Sequence, residues 1–130
     1  MQQDLNNMDD EKNQNMIFKR PWGEYQVLYA KDDISNYQVK KIVVQPKQSL
    51  SLQTHEKRAE IWVIVQGEGS VVLGDDEVVV KVGDVVKIAV AQKHRMRNTG
   101  EKELIFIETQ LGEYLGEDDI RRYEDDYDRI

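Results

Sequence analysis

Between residues 18 and 110 the chain runs in short stretches of Val, Ile, Tyr and Thr, with apolar and polar positions alternating and turn formers recurring every several residues. Alternation of period two marks a strand with one buried face, because successive side chains point to opposite sides of a sheet. The pattern predicts strands over 24–30, 37–44, 49–52, 58–66, 69–73, 77–81, 85–88, 95–98 and 104–110. Gly74-Asp75-Asp76 and Gly67-Glu68-Gly69 predict tight hairpin loops, and Thr99-Gly100-Glu101-Lys102 a polar turn before the last strand. Short strands at this spacing, with no helix-length amphipathic segment between them, predict an all-β double-sheet barrel or jelly roll. After the barrel, 117–123 runs from acidic to basic, the polarity a helix dipole favours, and predicts a short C-terminal helix. Residues 1–15 lack aromatic and β-branched side chains and are expected to be disordered or loosely attached. Order is expected from about Phe18, since Arg20-Pro21-Trp22-Gly23 sets a turn former beside a large apolar anchor. The organisation is therefore an acidic segment (1–15), one barrel (16–112) and an acidic extension with the helix (113–130).

Composition narrows the functional classes. At 130 residues the chain suits a single domain with its own core. Cysteine is absent, which excludes disulfides and thiolate metal sites and fits a reducing, cytoplasmic setting. No stretch approaches the roughly 18 apolar residues of a spanning helix, and the polar N-terminus has no secretory pattern, so no membrane association is expected. The net charge of -7 lies in the ends: residues 1–15 carry -3 and 113–130 carry -5, leaving the body at +1. Without a dominant basic face, nucleic acid is not expected as a partner. A small anionic ligand needs only one or two placed cations. Sheet edges and exposed apolar strand faces argue for a homodimer.

Only two histidines occur, His55 and His94, and each sits in a glycine-punctuated run. Neutral imidazole is the commonest metal ligand and a carboxylate its usual companion. Strand parity sets Arg58, Glu60, Trp62 and Ile64 on one face of 58–66. It sets His94, Met96 and Asn98 on one face of the later strand, with Arg95 and Arg97 opposite and hence outward. Glu60 lies inside the otherwise apolar run 59–65, where a carboxylate is costly unless paired or metal-bound. If Gln53, His55, Glu60 and His94 all point inward, up to four N and O ligands converge. Such a set suits Zn, Fe, Mn, Co or Ni; zinc is the leading expectation, although ligand types alone do not choose. An isolated His–Glu pair is ordinarily just a hydrogen-bonded pair, so the weight rests on the combined spacing. Trp22 and Trp62 read first as core anchors. The aspartates of 123–128 lack the glycine spacing of a calcium loop.

That spacing resembles a known family. Lys47-x5-Gln53-x-His55-x4-Glu60-x6-Gly67 is similar to the first cupin motif, with Gln53 in place of its first histidine. Gly83-x5-Ala89-x-Ala91-x2-His94-x3-Asn98 is similar to the second, with alanines for its proline and glycine. Among cupins, the phrases Arg20-Pro21-Trp22-Gly23, Ser49-Leu50-Ser51-Leu52-Gln53, Arg58-Ala59-Glu60 with Trp62, and Lys93-His94-Arg95 resemble the C-terminal domain of type II mannose-6-phosphate isomerases. So does Gly112-Glu113-Tyr114-Leu115-Gly116-Glu117-Asp118-Asp119-Ile120. The likeness spans about residues 17 to 130 and implies a cupin double-stranded β-helix. Residues 1–16 contain no Gly-rich nucleotide-binding stretch, so guanylyltransferase activity is not expected of these 130 residues.

The resemblance implies divalent-metal-dependent interconversion of mannose 6-phosphate and fructose 6-phosphate through an enediolate. It makes Gln53, His55, Glu60 and His94 the metal ligands. Arg58, on the Glu60 face, is a candidate catalytic group and phosphate clamp, and Lys57 a candidate base whose ordinary reading is a solvated surface lysine; Trp62 and Lys93 are further candidates for binding the sugar phosphate. The chain departs from the family at Lys57 and Ile61, where histidines are usual. Replacement of Pro and Gly by Ala89 and Ala91 is expected to loosen the turn that presents His94. Those departures keep open a non-catalytic cupin that binds a sugar or small anion as a sensor or partner subunit. A cupin dioxygenase or epimerase would share the barrel but not the tail phrase.

Overall fold

The inward-facing residues of strand 58–66 set the architecture, because Arg58, Glu60, Trp62 and Ile64 are all buried while Val63, Val65 and Gln66 are exposed. The computed structural model describes residues 15–30 and 37–130. Apart from Asn15, the acidic segment 1–15 lies outside the described residues. Eleven strands follow in order: β1 (Ile17–Arg20), β2 (Gly23–Tyr29), β3 (Tyr37–Val44), β4 (Leu52–Thr54), β5 (Arg58–Gln66), β6 (Glu68–Leu73), β7 (Asp76–Lys81), β8 (Val85–Ile88), β9 (His94–Asn98), β10 (Leu104–Gly112) and β11 (Arg121–Glu124). They form two sheets with the orders β1-β2-β3-β10-β5-β8 and β11-β4-β9-β6-β7, and every strand pair is antiparallel. This is the expected all-β double-sheet barrel.

Cross-strand register sorts the inner face of the larger sheet into rows. Ile42–Phe106–Ile64 is apolar, Lys40–Glu108–Trp62 is mixed, and Gln38–Gln110–Glu60 is polar. The smaller sheet supplies a second polar row, Arg122–Gln53–His94, ending on Leu73. One end of the barrel is therefore a packed core, built on Trp22, Ile42, Val44, Trp62, Ile64, Val71, Met96, Leu104 and Phe106. The other end collects polar side chains between the sheets. Trp62 stands at the boundary, its ring 4.6 Å from that of Phe106 and 5.8 Å from that of His94. Asn98 ties strands together: its amide donates to the carbonyls of Val44 and Lys102 at 2.9 and 2.8 Å, and its oxygen accepts from Gly100 N–H.

Several expectations need correction. Gly67 does not turn a hairpin, because β5 and β6 belong to different sheets. With φ at +84°, it lets the chain step from one sheet to the other, a conformation open to glycine at no steric cost. The loop at Gly74 is the true hairpin, joining β6 to β7. The strand expected over 49–52 begins at Leu52, and Ser49 contributes only an isolated bridge to Arg97. The expected C-terminal helix is absent: residues 117–118 turn, and 121–124 add β11 to the open edge of β4. Seven residues are too few to hold an isolated helix in water, whereas β4 offers unpaired backbone groups. Arg95 does lie opposite His94, but it is not exposed. The C-terminal extension covers it, and Arg95 donates to Leu50 O at 2.7 Å and reaches Glu124 and Asp126 at 3.3 Å. No helix among the described residues is long and apolar enough to cross a membrane.

Candidate metal centre

His55, Glu60 and His94 come together at the polar end of the barrel, each offering a ligand atom within 4.8 Å of the others. All three are buried, Glu60 being 2 % exposed and His94 1 %. Glu60 projects inward from β5, His94 opens β9, and His55 follows β4 in the loop before β5. Their orientation comes from second partners. His55 Nδ1–H donates to the carbonyl of Asp119 at 2.6 Å, and His94 Nδ1–H donates to that of Gln92 at 2.9 Å. Each ring is thereby held with its Nε2 lone pair turned inward, as outer partners fix the tautomer of a metal-binding imidazole. His55 Nε2 lies 3.3 Å and His94 Nε2 4.0 Å from the Glu60 carboxylate.

His94 Nε2 is buried and has no hydrogen-bond partner. Buried polar atoms are ordinarily satisfied, so this orphan lone pair, aimed at a carboxylate, fits a divalent cation held between them. Electrostatics agree. Burial lowers the His55 pKa to about 4, outweighing the pull of Glu60, and burial likewise lowers that of His94. Burial pushes Glu60 upward, but Arg58 foremost and then the two imidazoles bring it down to about 2. Two neutral imidazoles and one carboxylate are the protonation states a divalent metal requires. Gln53 lines the same cavity and pairs with His94 across β4 and β9.

Arg58 is part of this cluster. Its Nε donates to Glu60 Oε2 at 2.8 Å and its second guanidinium nitrogen to His55 Nε2 at 3.2 Å. Trp62 Nε1–H donates to the other oxygen, Glu60 Oε1, at 2.9 Å. Trp62 is thus a core residue that orients Glu60, and it does not line the cavity as the substrate-contact expectation required. Lys57 and Lys93 are both exposed outside the cavity, packed over the rings of Tyr114 and Tyr123 at 5.2 and 4.4 Å. Neither is among the residues lining the cavity that Glu60 borders, so the fold does not bring the expected catalytic Lys57 or the expected binding residue Lys93 to it. The turn before His94 is braced at two points. Ala91 takes φ +65°, its N–H donates to His55 O at 2.8 Å, and Gln92 Oε1 accepts from Ala89 N–H at 2.9 Å.

The cavity also gathers residues that sequence reasoning passed over. Arg20, Lys40, Arg122 and Arg129 join Arg58 around it, with Tyr25, Glu108, Gln110 and Glu117. Lys40, Glu108 and Gln110 could have been found by parity, since each shares its strand face with apolar residues: Ile42 and Val44 in β3, Leu104 and Phe106 in β10. Arg122 and Arg129 arrive with the extension, whose strand was not foreseen. Arg122 Nε is buried without a partner, and burial followed by repulsion from Arg129 lowers its pKa. A desolvated, unpaired guanidinium edge beside further arginines suits an anion.

Comparison with known proteins bears on both fold and family. A cupin-2 domain from Rhodospirillum rubrum superposes with a TM-score of 0.64 over 80% of this chain and 76% of that one, at 21% identity, which shows the double-stranded β-helix fold. The xanthan biosynthesis protein XanB of Xanthomonas campestris pv. campestris is 44% identical over 110 residues, covering 85% of this chain and 23% of that protein. The mannose-1-phosphate guanylyltransferase of Escherichia coli is 40% identical over 111 residues, again 85% of this chain and 23% of the relative. The chain thus spans under a quarter of the length of these curated relatives. The model of the mannose-6-phosphate isomerase C-terminal family matches residues 6–125, and the chain belongs to that family.

Proposed function

We propose that this chain is a metal-dependent sugar-phosphate isomerase that interconverts mannose 6-phosphate and fructose 6-phosphate in the cytoplasm. The observation that carries the reading is a buried ligand cluster bordering a cavity: the orphan His94 Nε2 is aimed at Glu60, and Glu60 lines the cavity together with an arginine-rich wall that holds the unpartnered Arg122 Nε. The first suits a cation, and the second suits the phosphate of a sugar. His55, Glu60 and His94, with Gln53 beside them, would hold the metal, which supplies a Lewis acid for sugar oxygens where charge develops. Arg58 is fixed against Glu60 at 2.8 Å and borders the cavity, so it can also stabilise an enediolate oxygen. Burial around these groups excludes water, which strengthens each of these interactions.

The departures at Lys57 and Ile61 do not weaken this reading. Lys57 is exposed, and Ile61 sits on the outward parity of β5, so neither removes a group from the cavity. The direct test is to load the protein with Zn, Mn, Co, Ni or Fe, add mannose 6-phosphate, and follow fructose 6-phosphate. Turnover that disappears with chelator and in His94→Ala is expected. Mannose 6-phosphate raising the melting temperature without turnover under any metal would instead give the non-catalytic binder. We also propose a homodimer: β7 and β8 end their sheets, and Val79 and Val85 on them are exposed. Light scattering that reports only monomer would exclude it.

A further inference from the structure

Moving a proton between carbons 2 and 1 requires a group that takes it and gives it back, and three carboxyl groups line the cavity. Glu60 is already engaged, accepting from Trp62 Nε1 at 2.9 Å and Arg58 Nε at 2.8 Å while facing His55. Glu117 is ion-paired with Lys40. The two imidazoles use their Nδ1–H groups to donate hydrogen bonds to backbone carbonyls, and the Tyr25 phenol is pushed up to about 12, chiefly by burial. Glu108 differs from all of these. It occupies the middle of the inner row between Lys40 and Trp62 and is 6 % exposed. Its single hydrogen bond comes from the neutral Gln110 amide to Oε2 at 2.6 Å, and among the described residues Oε1 accepts none.

We infer that Glu108 is the acid–base residue of the isomerisation, an assignment that rests on the function proposed above. Glu108 is the diagonal neighbour of Glu60, since Trp62 faces Glu108 and Gln110 faces Glu60. Diagonal positions in an antiparallel pair are roughly 7–8 Å apart, so a sugar whose oxygens approach Glu60 brings its first two carbons toward Glu108. As a carboxylate, Glu108 takes the hydrogen of carbon 2 as a proton. The C2–H electron pair becomes the C1=C2 bond, and the C1=O π pair moves onto O1, giving the enediolate. The hydroxyl proton on O2 passes to O1, O2 forms the new carbonyl, and carbon 1 receives the proton from protonated Glu108. Nothing is gained or lost, and no oxidant is needed.

The surroundings suit a group that cycles between both forms. Burial, then the charge of Glu60, raises the Glu108 pKa to about 8, against the opposing pull of Arg58 on β5 and Lys40 on β3. Lys40 is itself held by Glu117 from the extension, and Gln110 is the neighbour on Glu108's own strand. A general base contributes typically about 10²–10⁴-fold to rate.

The test uses the metal-loaded 130-residue chain and mannose 6-phosphate. Glu108→Gln, which keeps the side-chain shape, is expected to lower kcat by at least about 100-fold. It should also stop deuterium uptake from D2O into the sugar, while metal stoichiometry and the thermal shift on adding mannose 6-phosphate stay as in the wild type. Glu108→Asp should retain slow exchange with an altered pH profile. Wild-type exchange in Glu108→Gln overturns the assignment. If Glu108→Gln loses its metal or does not fold, an Asp variant with the wild-type rate and pH profile overturns it equally. Absence of wild-type turnover would remove the isomerase reading itself, and this assignment with it.

Discussion

Asp119 is one residue of the extension, yet it holds the ligand loop at three points. Its backbone carbonyl accepts from His55 Nδ1–H at 2.6 Å, and its carboxylate accepts from the N–H groups of Glu56 and Lys57 at 3.0 Å each. Asp119→Ala removes the carboxylate and leaves the carbonyl, so it separates the docking of the loop from the bond to the ring. Each backbone-to-carboxylate bond contributes about 0.5–1.5 kcal/mol, and both amides are in exposed residues where water replaces the lost acceptor. The expected loss is about 1–2 kcal/mol in urea-induced unfolding, read as a fall in midpoint with an unchanged slope. Loss of an outer partner of a ligating histidine costs about 10–100-fold in metal affinity. Because the carbonyl survives and only its anchoring loosens, the lower end, about tenfold, is expected in a competitive chelator titration. Asp119→Asn keeps one acceptor and should fall between. An Asp119→Ala protein with wild-type midpoint and wild-type metal affinity would show that the Asp119 carboxylate does not anchor the ligand loop.

Three further outcomes follow from the same geometry. Ala91 adopts φ +65°, a region that costs a non-glycine residue about 1–2 kcal/mol, so Ala91→Gly should stabilise by about 0.5–1 kcal/mol after the unfolded-state entropy of glycine is offset; a lower urea midpoint would contradict this. In metal-free protein His55 has a folded pKa of about 4 against 6.5 when unfolded, so the unfolded chain binds more protons between those values. Its stabilising contribution, of order 3 kcal/mol, should be whole above pH 6.5 and lost as pH falls to about 4, and wild type and His55→Leu should not show parallel urea midpoints over that range. Arg95→Leu leaves the Leu50 carbonyl without its 2.7 Å donor and frees Glu124 and Asp126, so it should cost about 1–3 kcal/mol and expose 121–130 to limited proteolysis; a protease-resistant tail would refute the tether.

Much of the barrel was legible because parity is a strong signal where one face is buried. Strands 37–44, 58–66 and 85–88 fall where the alternation places them. The His55, Glu60 and His94 cluster was legible for the same reason, since a carboxylate on the parity of Trp62 and Ile64 must find a partner. What the sequence obscured depends on long-range pairing. Local charge order in 117–123 suggests a helix, but the open edge of β4, more than sixty residues earlier, decides the conformation through Arg121↔Thr54 and Arg122↔Gln53. Likewise the glycine pair at 67–69 reads locally as a hairpin, and only the assignment of β5 and β6 to separate sheets shows the crossing. With the extension misread, Arg122 and Arg129 could not be brought to the cavity.

The same parity also reweighs the departures from the family pattern. Residue identity alone makes Lys57 and Ile61 look like losses from the site, because histidines are usual there. Position on the fold says otherwise: Lys57 is exposed on the loop beside Tyr114, and Ile61 alternates with Glu60 and so faces away from the cavity. A histidine at position 61 would not reach the Glu60 carboxylate without reversing the register of β5, which would turn Trp62 and Ile64 out of the core. The groups at the site arrive on several constrained elements: His55 on the loop after β4, Arg58 and Glu60 on β5, His94 on β9, Glu108 on β10, and Arg122 and Arg129 on the C-terminal extension. A chain that had kept the fold and lost the chemistry would be expected to relieve the costliest of these. Instead it keeps Glu60 at 2 % exposure, Glu108 at 6 % and an unpaired His94 Nε2, buried polar groups that oppose folding and make sense where a ligand repays them.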